Sequence, residues 1–441
     1  MAKPEKHLDD TYKSLLARRE ADSRLRCLTL RNPGAVDFSS NDYLSLSTHP
    51  EIKSAYISHL RNTEQFSLGS CGSRLLDGNT TTAEWLEAEI VNFHGALAGL
   101  LFNSGFEANT GLFSCAPQPG DYVVYDELIH ASVHDGMRLS RARTIPFAHN
   151  CVLTEDVSVV AKLGSLDDVL CGLLKGEDSE RVRSGKSNVF IAVEGVYSMD
   201  GDVAPLKRIV ECVERRLPKG NGYVIVDEAH STGWIGERGR GLVCQLGLEN
   251  RVWARVHTFG KAMGCAGAIV LCTPTTRSYL VNYARSLIYT TAMGYPMLAA
   301  IQTSYDYLKM GRADALLKNL LSLMKAAHLL LLSICHRHKP PPQLFRINST
   351  PPESPIIPIF SEHARDLARH CQQRGYTVRP IVAPTVPKGT DRVRLCLHAA
   401  NTVSDVQGLC LAIEQWLEER FVKDSLDSTF SLASTSGTSK L

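Results

Sequence analysis

The chain has 441 residues, a formal net charge of +2 and 21% charged residues. That length exceeds one small core and calls for a large domain with a smaller one. The near-neutral balance gives no electrostatic reason to expect nucleic acid or a membrane as partner, and 13 scattered cysteines without a CxxC pair or zinc-like spacing indicate free thiols in a reducing compartment and no metal site.

The N-terminus, MAKPEKHLDD, is charged and lacks the apolar segment of a secretory signal. The stretch AEWLEAEIVNFHG (83–95) places Trp85, Leu86, Ile90, Val91 and Phe93 mostly on one helical face. The runs YVVYD (122–126), NVFIAVEGV (188–196), YVIVDEAH (223–230) and CAGAIVLC (265–272) are continuously apolar, which predicts strands covered on both faces of a mostly parallel sheet. Strands alternating with helices indicate a three-layer α/β domain. KGEDSERVRSGKS (175–187) is expected to be a surface loop, and residues 337–355 a proline-rich connector. The most apolar run, 326–335, contains His328 and is too short to cross a membrane, so it reads as a buried helix.

Beyond the connector, RDLARHCQQRGYTVRP and DRVRLCLHAAN suggest helix, strand and strand before a last helix from Val403 to about Arg420, an α+β arrangement. The expected boundaries are an N-terminal arm at 1–50, a large domain at 51–300, a small domain at 301–423 and a tail at 424–441. The tail, Ser/Thr-rich with little to bury, closes in Ser439-Lys440-Leu441, the tripeptide read by the peroxisomal import receptor. Peroxisomal import is therefore the expectation, with the cytosol as the other destination.

Polar residues at the ends of apolar strands carry the chemistry. Asp227 closes YVIVD, with His230 three residues on, and its bland reading is a carboxylate capping the next turn. RVHTFGKAMG (255–264) sets Lys261 between Gly260 and Gly264, either as a solvated loop lysine or as a nucleophilic amine with space around it. A lysine for imine chemistry and an aspartate for a pyridinium nitrogen are together the protein groups that pyridoxal phosphate requires. Ser104-Gly105-Phe106 in FNSGFEAN opens a helix whose N–H groups suit an anion, although an ordinary strand–helix turn has the same look. His130 is placed to stack on a flat ring or to sit in the core, and Glu194 and Ser198 in EGVYSMDGD are further site candidates beside an acidic turn.

These motifs in this order resemble the α-oxoamine synthase family of fold-type I pyridoxal-phosphate enzymes. The resemblance runs from about residue 12 to about residue 420 and includes FSSNDYLSLS (38–47), GSCGSRLLDGN (69–79), HASVHDG (130–136), IYTTAM (288–293) and PTVPKGTDRVRL (384–395). It implies a fold-type I transferase acting as a homodimer. Lys261 would bind the cofactor as an imine, Asp227 would contact the pyridinium, His230 the ring oxygen, and His130 would stack on the ring. Ser104, Gly105, Phe106 and Thr258 would serve the phosphate, Thr290 and Thr291 would reach the partner subunit's phosphate, and Glu194 and Ser198 would lie near the cofactor. Asn41 and Arg394 would receive the amino acid, Arg394 binding its carboxylate.

Within the family, GSCGSRLLDGN, PTVPKGT and ARREADSRLR are most similar to the branch that joins alanine to pimeloyl-CoA in biotin synthesis, the 8-amino-7-oxononanoate synthases. Arg24 or Arg26 would then meet the pimeloyl carboxylate. The family pattern is altered at Cys71, Asp77, Ala83 and Cys151, which the resemblance places near the acyl entrance. One alternative is an α-oxoamine synthase using a different acyl thioester in secondary metabolism. Another is a non-catalytic partner subunit of a serine palmitoyltransferase-like complex, against which Lys261 stands.

Overall fold

The computed structural model describes residues 7–435 except 23, 31, 65, 158–161 and 177–178, with 422–435 described as helix backbone. The import tripeptide at 439–441 lies outside the described residues. The chain divides into two units, residues 1–35 and 36–441. The first contains the helix His7–Ala21, which has no buried residue.

The second unit is built on a seven-stranded sheet in the spatial order Ala98–Phe102, Ala268–Cys272, Ala254–Thr258, Gly222–Asp227, Val189–Glu194, Tyr122–Asp126, Arg143–Phe147. Five consecutive neighbours pair in parallel, and Ala268–Cys272 runs antiparallel to both strands beside it. The continuous apolar runs have a direct cause. Val189, Ile191 and Val193 enter one apolar cluster, while Phe190 and Ala192 enter a second on the other face. Each fully buried side chain of this size contributes roughly 1.5–3 kcal/mol, so both faces have to be apolar.

A second, three-stranded antiparallel sheet follows, in the order Arg379–Ile381, Arg392–Cys396, Ile356–Phe360, with the helices Ala364–Gln373 and Val403–Thr435. The apolar run at 326–335 is part of a 25-residue helix, Asp314–His338, long and apolar enough in composition to cross a membrane. Its Leu320, Leu323, Ala327, Leu331 and Ile334 recur every three or four residues and are buried in the core. The expected loop at 175–187 contains a helical turn, Ser179–Arg183.

The loops after two strands are fastened by His149. Its Nδ1 lies 2.8 Å from Asp126 Oδ1 and its Nε2 2.7 Å from Asp202 Oδ2, while Asn150 Nδ2 donates to the same Asp202 oxygen at 2.6 Å. His149 and Asn150, next to the altered Cys151, thus form a clamp between loops and do not line the cavity described below. Burial opposes charging the imidazole, but the hydrogen bonds and charges of the two carboxylates outweigh it and raise its pKa to about 10. Because the folded value lies above the ordinary 6.5, the stabilisation is complete below pH 6.5 and is lost as pH rises through about 10. In urea denaturation, wild type is expected to exceed His149→Gln by about 2 kcal/mol at pH 6, with the gap closing towards pH 10. A gap that is constant across this range excludes the charged clamp.

Candidate active site

The carboxyl ends of the parallel strands open onto a cavity of about 300 Å³, the position expected for ligands in an open α/β sheet. Ten residues singled out from the sequence line it: Asn41, Ser104, Gly105, Phe106, His130, Glu194, Asp227, His230, Thr258 and Lys261.

One end of the cavity is built for an anion. Ser104 caps the helix Gly105–Cys115, its hydroxyl accepting from the Glu107 N–H at 3.1 Å. The N–H groups of Gly105 and Phe106 precede any intrahelical acceptor and carry the positive end of the helix dipole. Glycine is required at 105, since a Cβ there would lie 2.3 Å from Thr258 Cγ2. Thr258, the last residue of its strand, has a buried hydroxyl oxygen without a hydrogen-bond partner among the described residues.

Asp227 and Glu194 end neighbouring parallel strands and stand in register. Asp227 Oδ1 accepts from the Ala229 N–H at 2.9 Å and Oδ2 from Asn109 Nδ2 at 2.7 Å. Burial, and then the charge of Asp227, push the Glu194 carboxyl well above the usual carboxylate range. Loss of hydration lowers the Lys261 pKa; Asp227 and Glu194 oppose that shift and Arg394 adds to it.

The lysine loop is shaped by its own backbone. The Phe259 N–H donates to Gly267 O at 2.9 Å, the Cys265 N–H to Phe259 O at 2.8 Å and the Gly264 N–H to Lys261 O at 2.8 Å. The two glycines flanking the lysine are not equivalent. Gly264 has φ +65° and a Cβ there would lie 2.4 Å from Ser47 N, whereas a Cβ on Gly260 would meet nothing nearer than 3.7 Å.

His130 caps the helix Ala131–Leu139, its Nδ1 accepting from the Ser132 N–H at 3.2 Å. Asn109 Nδ2 supplies both Asp227 Oδ2 and, at 3.0 Å, Ser132 Oγ, which lies 2.7 Å from His130 Nδ1. One amide thereby orients both the carboxylate and the imidazole. Burial is the main cause of a lowered His130 pKa; Asp227 works against it and Lys261 with it.

Arg394 is buried behind the cavity wall. Its Nη2 donates to Asn41 Oδ1 at 2.9 Å, and its Nε donates to the backbone oxygen of Ser198. Thr290 and Thr291 are not among the residues lining the cavity; Asn103, which lines it, donates from Nδ2 to Thr290 Oγ1 at 3.2 Å and to Thr291 O at 2.9 Å. Arg24 and Arg26 belong to the 1–35 unit and are exposed there, Arg24 lying 3.8 Å from Asp22.

Sequence reasoning passed over Asn103, Asn109, Ser132 and Tyr43. Asn109 carried a usable signal, because it sits four residues after Gly105 on the same helical face. The donor set fits pyridoxal phosphate: a helix start with an unpartnered hydroxyl for the phosphate, a buried carboxylate for the ring nitrogen, and an amine between them.

Residues 33–413 match the family Aminotransferase class I and II. A protein of Emericella nidulans named 8-amino-7-oxononanoate synthase is 49% identical over 417 residues, covering 94% of this chain and 97% of its own. The aminoacyl transferase sphA of Aspergillus fumigatus is 38% identical and covers 89% of this chain and 83% of its own. Among solved structures, a serine palmitoyltransferase from S. paucimobilis with a bound PLP-myriocin aldimine has a TM-score of 0.78 at 26% identity, covering 95% of this chain and all (100%) of that one. The chain belongs to the aminotransferase class I and II family, in its α-oxoamine synthase branch.

Proposed function

We propose that this protein joins L-alanine to pimeloyl-CoA, giving 8-amino-7-oxononanoate, CoA and carbon dioxide in biotin synthesis, with pyridoxal phosphate as cofactor. The observation that carries the reading is the 49% identity to the Emericella nidulans synthase across almost the whole of both chains. The cavity supports it with Lys261, Asp227 and His230 brought together on one wall system, which also speaks against a non-catalytic subunit.

Bound pyridoxal phosphate supplies an electron sink for negative charge at the α-carbon of the amino acid. Lys261 would attach it covalently, the Gly105–Cys115 helix start and Thr258 would hold its phosphate, Asp227 its ring nitrogen, and His130 its face. Arg394 would bind the alanine carboxylate, its guanidinium held beside the cavity wall by Asn41, which accepts from Nη2 at 2.9 Å. Lys261, whose pKa burial lowers, would take the α-proton on its amine nitrogen.

The reading includes a homodimer, supported by the exposed Thr291 beside Asn103 and by exposed apolar Leu68, Leu76 and Phe106. It also includes peroxisomal import, supported by Ser439-Lys440-Leu441.

CoA release with L-alanine, glycine and L-serine, each against pimeloyl-CoA and palmitoyl-CoA, tests the assignment. Alanine with pimeloyl-CoA is expected to have the highest kcat/KM, at least about tenfold above palmitoyl-CoA if a charged contact recognises the distal carboxylate. Faster release from palmitoyl-CoA would replace this substrate with a long-chain acyl thioester.

A further inference from the structure

Tyr43 is fully buried, and its hydroxyl meets three groups of the site. His230 Nδ1 lies 2.6 Å away, Asn41 Oδ1 3.3 Å and Arg394 Nη2 3.5 Å. A phenol has one proton to give, while a guanidinium can only donate, so Arg394 takes a lone pair on the Tyr43 oxygen. The phenol proton then goes to His230 Nδ1 or to Asn41 Oδ1. The histidine is the nearer acceptor, and Asn41 Oδ1 already receives Arg394 Nη2 at 2.9 Å. Burial, with Lys261, Arg394 and His130 nearby, keeps the His230 ring neutral. A neutral imidazole that accepts at Nδ1 carries its proton on Nε2.

We propose that Tyr43 is a positioning residue that fixes His230, a wall of the cavity, as its Nε2–H tautomer and links that donor to Arg394 through a single hydroxyl. What Nε2–H and Arg394 meet rests on the proposed function; the tautomer itself does not. A carboxylate bound by Arg394 weakens the pull of the guanidinium on the Tyr43 oxygen, and the change passes to His230 through one hydrogen bond. Amino-acid binding and the donor facing the cofactor's ring oxygen are thereby coupled.

Full-length protein labelled with ¹⁵N at histidine tests this, with His230→Gln used to assign the His230 signals. Without added cofactor at pH 7, wild type is expected to show the Nε2–H tautomer, and Tyr43→Phe a mixture or the Nδ1–H form. An Nδ1–H tautomer in wild type, or an unchanged tautomer in Tyr43→Phe, overturns the proposal; if Tyr43→Phe does not fold, the wild-type spectrum alone decides. With pyridoxal phosphate bound, L-alanine is expected to move the His230 signals in wild type and not in Tyr43→Phe, and kcat to fall roughly tenfold in the variant, the scale of one buried hydrogen bond. Absence of an alanine-dependent shift in wild type removes the link to Arg394. A protein with the expected tautomer that releases no CoA from any thioester refutes the synthase reading and leaves the Tyr43 assignment in place.

Discussion

Lys261→Ala is expected to reduce CoA release by at least ~10³-fold with alanine and pimeloyl-CoA while leaving the fold intact, because one amine serves both as attachment point and as base. The loop around it is held by the backbone bonds of Phe259, Cys265 and Gly264, none of which involves the lysine side chain. Stability should be equal or slightly higher at pH 7. Burial depresses the Lys261 pKa from 10.5, so the unfolded chain binds the proton more readily than the folded one and wild-type stability rises with pH through that interval. Removing the amine removes that cost. Stopped-assay CoA release beside a urea denaturation curve checks both halves, and a variant retaining a tenth of wild-type activity would show that Lys261 is not the base.

Asp227→Asn should be nearly as damaging, lowering kcat by about 10²–10³-fold, the range seen when one preorganised electrostatic partner of a reacting group is lost. The substitution keeps the shape but disturbs the hydrogen-bond polarity. The Ala229 N–H still needs an oxygen acceptor, so the new amide would confront Asn109 Nδ2, donor against donor. If Asn109 turned its oxygen towards residue 227, it would withdraw its N–H from Ser132 Oγ and loosen His130. The effect therefore has an electrostatic and a geometric part. Asn109→Asp with Asp227→Asn restores a charge and a donor–acceptor pair but leaves the charge misplaced; kcat recovering to within about threefold of wild type would mean that the charge matters and its position does not.

The sheet was legible in the sequence because parallel strands buried on both faces cannot hide: VFIAVE throughout, and YVIVD from Val224 on, have no solvent side on which to place a polar residue. The strand-end residues Asp227, Glu194 and Thr258 were legible for the same reason, since a polar group after such a run is an exception to be explained. The groups that orient them were not. Tyr43 reads as one more apolar position, and its partner His230 lies 187 residues away in sequence. Asn109 and Ser132 look like ordinary helix residues until the packing of two helix starts brings them within 3.0 Å of each other. The alteration around His149 was legible as an oddity but not as a clamp, because Asp126 ends one strand while Asp202 lies in the loop beyond another. Residue type reveals groups that act on a ligand; groups that act on other side chains need coordinates.

The contact between Gly264 and Ser47 bears on how this protein can be re-engineered. The loop presenting the amine and the segment presenting Asn41 and Tyr43 touch backbone to backbone at a point where no side chain fits. A chimaera that imports a foreign lysine loop without residues 38–47 inherits a mismatch there, and a library that varies one segment while freezing the other samples mostly broken pairs. Exchange of both segments together is the smallest graft that keeps the two binding functions aligned.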